Sequence, residues 1–169
     1  MAINVKRQRA LRRAIGPSTN DERDQMVGIK KVAKKKVDAD ETGVLALMRG
    51  VFRSFSKLAE QAGEGRPLLR GLRVAHDPKA NRFVVVHGGS RIEFILVLHG
   101  EGQPPYAEVE CRRMDSAGGT EEASIARFRF DASGLVSQST VAELVGERID
   151  QAPGAWSIVA AVIWDAMQG

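Results

Sequence analysis

Between Val44 and Ala62 the apolar residues recur at intervals of three and four: Val44, Leu47, Met48, Val51, Phe55, Leu58 and Ala62. This spacing puts them on one side of a 3.6-residue helix, so the segment is predicted to be an amphipathic helix lying on a core. Asp38 to Asp40 supply its cap, and Gly63, Gly65 and Pro67 stop it. Beyond Leu72 the period changes to two. Leu72–His76 reads as a short strand, followed by the turn-forming run Asp77-Pro78-Lys79-Ala80-Asn81. Arg82–His87 is a β-branched second strand, and Gly88-Gly89-Ser90 a tight hairpin turn into a third, Arg91–Leu98. After a loop, Ala107, Val109 and Cys111 alternate with Glu108, Glu110 and Arg112 in a fourth strand. Ala126, Phe128 and Phe130 alternate with Ile125, Arg127 and Arg129 in a fifth.

Two helices are predicted after the strands. Thr140 and Glu143 have capping-box spacing ahead of Leu144, Val145 and Ile149, and Pro153-Gly154 separates this segment from Ala155–Met167. In the last helix Trp156, Val159, Ala160, Ile163 and Met167 form one stripe, while Ile158, Val162 and Trp164 make a second side apolar. A helix apolar most of the way round is deeply buried or shared with another chain. Trp156, Ile158, Val162 and Trp164 are therefore the candidate protein interface, with self-association through this helix as one outcome. Strands joined by short turns, with helices at the ends, define the expected class as α+β. The expectation is an antiparallel sheet of about five strands packed on one face by an N-terminal helix and C-terminal helices, preceded by a basic, partly helical arm.

Charge divides the chain at the same place as the pattern. Residues 1–37 hold eleven Lys/Arg against three Asp/Glu, a net +8; residues 38–169 hold fourteen against eighteen, a net −4. The arm, residues 1–37, reads as flexible or weakly helical, and residues 38–169 as a single two-layer domain. One weak helix, from about Asn4 to Ile15, ends at Gly16-Pro17; a second follows Ser18 and Thr19, with Met26, Ile29, Ala33 and Val37 as its apolar positions. Such segments bury too little to be stable alone. Lys6, Arg7, Arg9, Arg12 and Arg13 form one basic cluster, and Lys30, Lys31, Lys34, Lys35 and Lys36 another. These ten are the candidate nucleic-acid contacts, because each phosphate neutralised releases condensed counterions whatever the base sequence. The arm has no aromatic residue to stack on bases, which argues against a single-strand reader.

Candidate reaction chemistry is sparse. Cys111 is the single cysteine and is predicted to point inward as a small hydrophobe. His76, His87 and His99 fall near the ends of the first three strands, where topology keeps all three from meeting; His76, Asp77 and His99 are the one group that could approach. No P-loop, dinucleotide fingerprint or nucleophile elbow occurs. No catalytic residue, metal or cofactor is assigned. Glu108, Glu110, Arg112, Arg127 and Arg129 are expected to pair across strands, with phosphate recognition by the arginines as the sharper alternative. The longest apolar run, Ile158 to Trp164, falls short of the roughly 20 residues a membrane span needs, and no apolar segment follows the first positive charges, so a cytoplasmic location is expected. The expected function is a non-enzymatic accessory binding protein whose arm contacts nucleic acid nonspecifically while the α+β domain mediates assembly. The alternative is an adaptor, chaperone or immunity-type protein whose arm docks on an acidic protein partner.

Overall fold

A computed structural model describes residues 43–101, 104–115 and 117–168, which lie in one compact unit, Glu41–Gly169. The basic arm, its two predicted helices and the Asp38–Asp40 cap lie outside the described residues. Helix α1 covers residues 43–65, and a 3₁₀ turn at Pro67–Leu69 follows where Pro67 supplies the fixed φ of a first turn. Six strands come next: β1 (Arg73–Asp77), β2 (Arg82–His87), β3 (Ser90–His99), β4 (Tyr106–Met114), β5 (Thr120–Phe130) and β6 (Val136–Ser139). A second 3₁₀ turn, Ala142–Leu144, leads to helix α2 (Ala152–Gln168). The strands form one antiparallel meander in the order β1-β2-β3-β4-β5-β6. The α+β class and the antiparallel sheet are as expected, with six strands where about five were predicted.

The pleat decides what each strand contributes. Phe83 pairs with Phe94, Phe94 with Cys111, and Cys111 with Ala126, so one row of side chains crosses four strands on the same face, all buried. Helix α1 lays Phe55 into this row. Its ring centroid lies 5.4 Å from Phe83, 5.9 Å from Phe94 and 6.1 Å from Phe128, each edge-on. Phe83 and Phe94 stack at 4.7 Å. All six phenylalanines of the chain are buried, so the few aromatics are concentrated at the helix–sheet junction, with aliphatic residues filling around them. The β2–β3 hairpin turns on Gly88 and Gly89, both at positive φ (56° and 83°), as a two-residue turn between paired His87 and Ser90 requires.

Three local expectations are corrected. The residues of α1 facing the core are Met48, Phe52, Phe55, Ala59 and Ala62, whereas Leu47 is 61% exposed; the helix is rotated relative to the stripe its apolar residues suggested. The predicted helix around Thr140–Ile149 is absent. The Thr140 hydroxyl accepts from the Arg127 N–H (2.9 Å) across the strand pair rather than capping a helix. Val136–Ser139 adds the sixth strand, and Leu144 and Ile149 are buried from an irregular segment closed by the Leu135–Arg148 bridge. There is accordingly one C-terminal helix, not two.

That helix is fastened at both ends. Near its start the Trp156 indole N–H donates to the Leu58 carbonyl (2.9 Å), and Arg66 donates to Ser157 Oγ (3.0 Å). In its last turn the Ala166 carbonyl accepts from the Arg113 guanidinium, a cation where the helix dipole favours one. Gly154 packs against the backbone of Arg148: a Cβ there would stand 2.8 Å from Arg148 N and closer still to its carbonyl oxygen. Gly50, on the exposed side of α1, has nothing within 4 Å of a Cβ position. Gly154→Ala is therefore expected to cost about 1–3 kcal/mol, since backbone cannot yield as a side chain can. Gly50→Ala should gain about 0.5–1 kcal/mol from helix propensity alone. Urea unfolding of both variants measures the contrast, and equal effects would contradict this packing.

Candidate functional site

The face of the sheet away from the helices carries charge. Alternation places Arg82, Glu93, Glu108, Glu110, Arg112, Arg127 and Arg129 on it. Glu110 accepts from Arg112 (2.8 Å) and from Arg127 (2.7 Å) on the neighbouring strand. Glu108 accepts from Arg129 (2.9 Å), whose guanidinium carbon lies 4.5 Å from the centre of the Tyr106 ring. His99 stacks on the other side of the group, 4.4 Å from Tyr106. Glu93, buried to 2% exposure, receives Arg82 at 2.7 Å. Arg82, Arg127 and Arg129 thus pair across strands, and Arg112 pairs with Glu110 along β4. Arg112, Arg127 and Arg129 each have a carboxylate partner, so the phosphate-recognition alternative gains no support from them.

Burial pushes the Glu110 carboxyl up, but hydrogen bonds from Arg112 and Arg127, with their charge, outweigh it and hold the group below its ordinary value. Desolvation, with a contribution from nearby Glu110, pushes the Cys111 thiol well up; it is fully buried, as its inward position predicted, and is no nucleophile.

A second feature lies at the β1 edge, on the helix side of the sheet. Helix α1 and the β1–β2 turn enclose a cleft of about 350 Å³. Phe52 forms its floor, and its ring lies 5.4 Å from Phe83 in the core. Arg53 and Lys57, four residues apart and so on the same side of α1, stand exposed at its rim. Ser56, between them, is buried and donates its hydroxyl to the Arg53 carbonyl (2.9 Å). The opposite wall is a rigid turn: Asp77 accepts from the Ala80 N–H and the Arg82 side chain, both at 3.2 Å, and Asn81 adopts φ +49°. The Ala80 N–H first, and Arg82 second, hold the Asp77 carboxyl below its usual range. His76 Nε2 lies 3.3 Å from Glu60 Oε2 at the far end. Sequence reasoning missed this cleft; its only local signal was the four-residue spacing of two cations on the polar side of a helix.

The structure separates the histidine group. His76 pairs with Phe83 and so lies on the helix side, whereas His99 lies on the open face against Tyr106. Among the described residues no group of three His, Cys, Asp or Glu could hold a metal ion. Of the predicted interface, Ile158 and Val162 are fully buried in this chain's own core and Trp156 is half-buried against α1. Adjacent positions 158 and 159 differ by only 100° on a helix, so Ile158, Val159, Val162 and Ile163 make one broad face rather than two. Trp164 (65% exposed) and Met167 (60%) remain on the surface. The arm candidates, Lys6 to Arg13 and Lys30 to Lys36, lie outside the described residues. Among the described residues, no helix is long and apolar enough to cross a membrane.

No protein family, curated protein or solved structure matches the chain. The fold defines a class, a helix-backed antiparallel meander, and fold alone names no activity.

The depressed Glu110 pKa carries a pH signature. Its stabilisation is present above the unfolded-state value of about 4.3 and is lost as pH falls through the lower folded value. Glu110→Gln should accordingly lower the urea midpoint at pH 7, and the gap from the natural chain should narrow as pH falls below about 4.3. A gap that does not narrow at any pH below about 4.3 would show that it does not come from the ionised pair.

Proposed function

We propose that this chain is a non-enzymatic accessory binding protein: its basic arm contacts nucleic acid without reading sequence, and the α+β domain serves assembly. The observation that carries the reading is the charge division, +8 over residues 1–37 against −4 over the remainder. A polyanion meeting this chain is attracted to the arm and repelled, on balance, by the rest. Ten cations in two clusters suffice for affinity through counterion release, and the lack of aromatics in the arm fits contact with phosphates rather than bases. The paired arginines of the sheet face contribute little to such binding, because their carboxylate partners already neutralise them.

The test is a salt titration of DNA and RNA binding by the full chain and by a chain starting at Val37. The full chain should bind with a steep dependence on salt, and the shortened one should not bind at about 150 mM salt. Reversing Lys34, Lys35 and Lys36 to Glu should weaken binding to every sequence alike and make the logarithmic slope shallower by about 2–3. Equal binding by the two chains, or no binding by either, overturns the proposal.

A second reading, an adaptor, chaperone or immunity-type protein whose arm docks on an acidic protein, is favoured by one observation: Trp164 and Met167 stand exposed on α2. Tryptophan is the residue type that most often anchors a protein contact. Under either reading Trp164 belongs to the assembly surface, so Trp164→Glu should lower the mass measured by light scattering at high concentration, or release a nuclease-resistant partner. A monomer at all concentrations with no such partner removes Trp164 from the surface.

A further inference from the structure

We infer that the cleft between α1 and the β1–β2 turn is a binding site for a small anionic amphiphile, a carboxylate or phosphate monoester on a short apolar body. Its size, about 350 Å³, falls in the range of small-molecule sites, which are concave, mostly apolar and equipped with a few placed polar groups. The floor is the buried Phe52, continuous with the aromatic core through Phe83, so an apolar body entering here would rest on a surface that does not yield.

The sign of the ligand follows from the rim. Arg53 and Lys57 project from successive turns of α1, and among the described residues neither has a carboxylate partner. By contrast Arg82, which also borders the cleft, has its guanidinium held by Asp77 and Glu93 and offers no free charge. Glu60, the one carboxylate in the lining, lies 3.3 Å from His76, and among the described residues it forms no ion pair with Arg53 or Lys57. The Asp77-centred turn keeps the wall in place, so little ordering is required when a ligand enters. An anionic head between Arg53 and Lys57, with its tail on Phe52, satisfies both halves of the site. The inference is independent of the nucleic-acid reading, which concerns residues 1–37.

The experiment is an amide chemical-shift titration of the full chain with octanoate, octyl phosphate and, as the neutral control, 1-octanol. Saturable shifts are expected for at least one anion at about millimolar concentration or below, confined to residues 52–60 and 76–82. The anion that binds more tightly identifies the head group. Arg53→Gln/Lys57→Gln should weaken it about tenfold, with the thermal midpoint as the check on folding. Both residues are exposed, so the variant should fold; Lys57→Gln alone, with a smaller loss, is the fallback. Three results overturn the inference: octanol binding as well as the anions, affinity unchanged in both variants, or shifts confined to residues 1–37. If neither anion saturates while an oligonucleotide loses affinity in the double variant, the two cations belong to a phosphate-backbone contact instead, and the small-molecule site is equally overturned.

Discussion

The seating of Phe55 on the sheet is the contact from which the rest of this fold follows. Its ring meets Phe83, Phe94 and Phe128, which come from strands β2, β3 and β5, and so ties one helix to the middle of a six-stranded sheet. An antiparallel meander has one face to bury, and a single helix cannot cover six strands. Helix α2 completes the cover with Ile158, Val159, Val162 and Ile163, and Trp156 locks it to α1 through the Leu58 carbonyl. The two helices are therefore one layer, joined by a hydrogen bond as well as by packing.

Once one face is committed to the core, the pleat sends every alternate residue to the other. There the chain places carboxylates flanked by arginines, with Glu110 between Arg112 and Arg127 and Glu108 beside Arg129. Pairs of this kind contribute modestly each, about 0–1 kcal/mol where exposed. Their larger effect is on register, since a one-residue slip would bring buried phenylalanines to water and charges to the helices. The same pairing neutralises Arg82, Arg112, Arg127 and Arg129 on the sheet, whereas Arg53 and Lys57 on α1 have no carboxylate partner among the described residues.

The proposed function divides the tasks of the chain by charge. In the function proposed above, long-range attraction for polyanions falls to residues 1–37 and contact with protein to exposed apolar side chains such as Trp164. The inferred ligand site beside α1 combines an apolar floor with two cations that have no carboxylate partner among the described residues. Each depends on the sheet differently. In that proposal Trp164 relies on the orientation of α2, and the cleft on the close approach of a helix and a turn distant in sequence.

The sequence by itself determined the features that local period and local turn chemistry encode. Strands β1 to β5 follow from alternation, the Gly88-Gly89 hairpin from its need for positive φ, the end of α1 from Gly65 and Pro67, and the inward Cys111 and the arginine–glutamate ladder from the pleat. Tertiary structure decided what local signals leave open. Strand β6 has four residues, of which only Val136 is buried, too short for a period to register. Thr140 has the chemistry of a helix cap, yet its hydroxyl serves the Arg127 amide on a neighbouring strand. Which side of α1 faces inward, Phe52 and Ala59 rather than Leu47, was set by the sheet it docked against. The cleft could not be read from the chain at all, because Phe52 and Arg53 meet Asn81 and Arg82 only when a helix and a turn some thirty residues apart are brought together by the core beneath them.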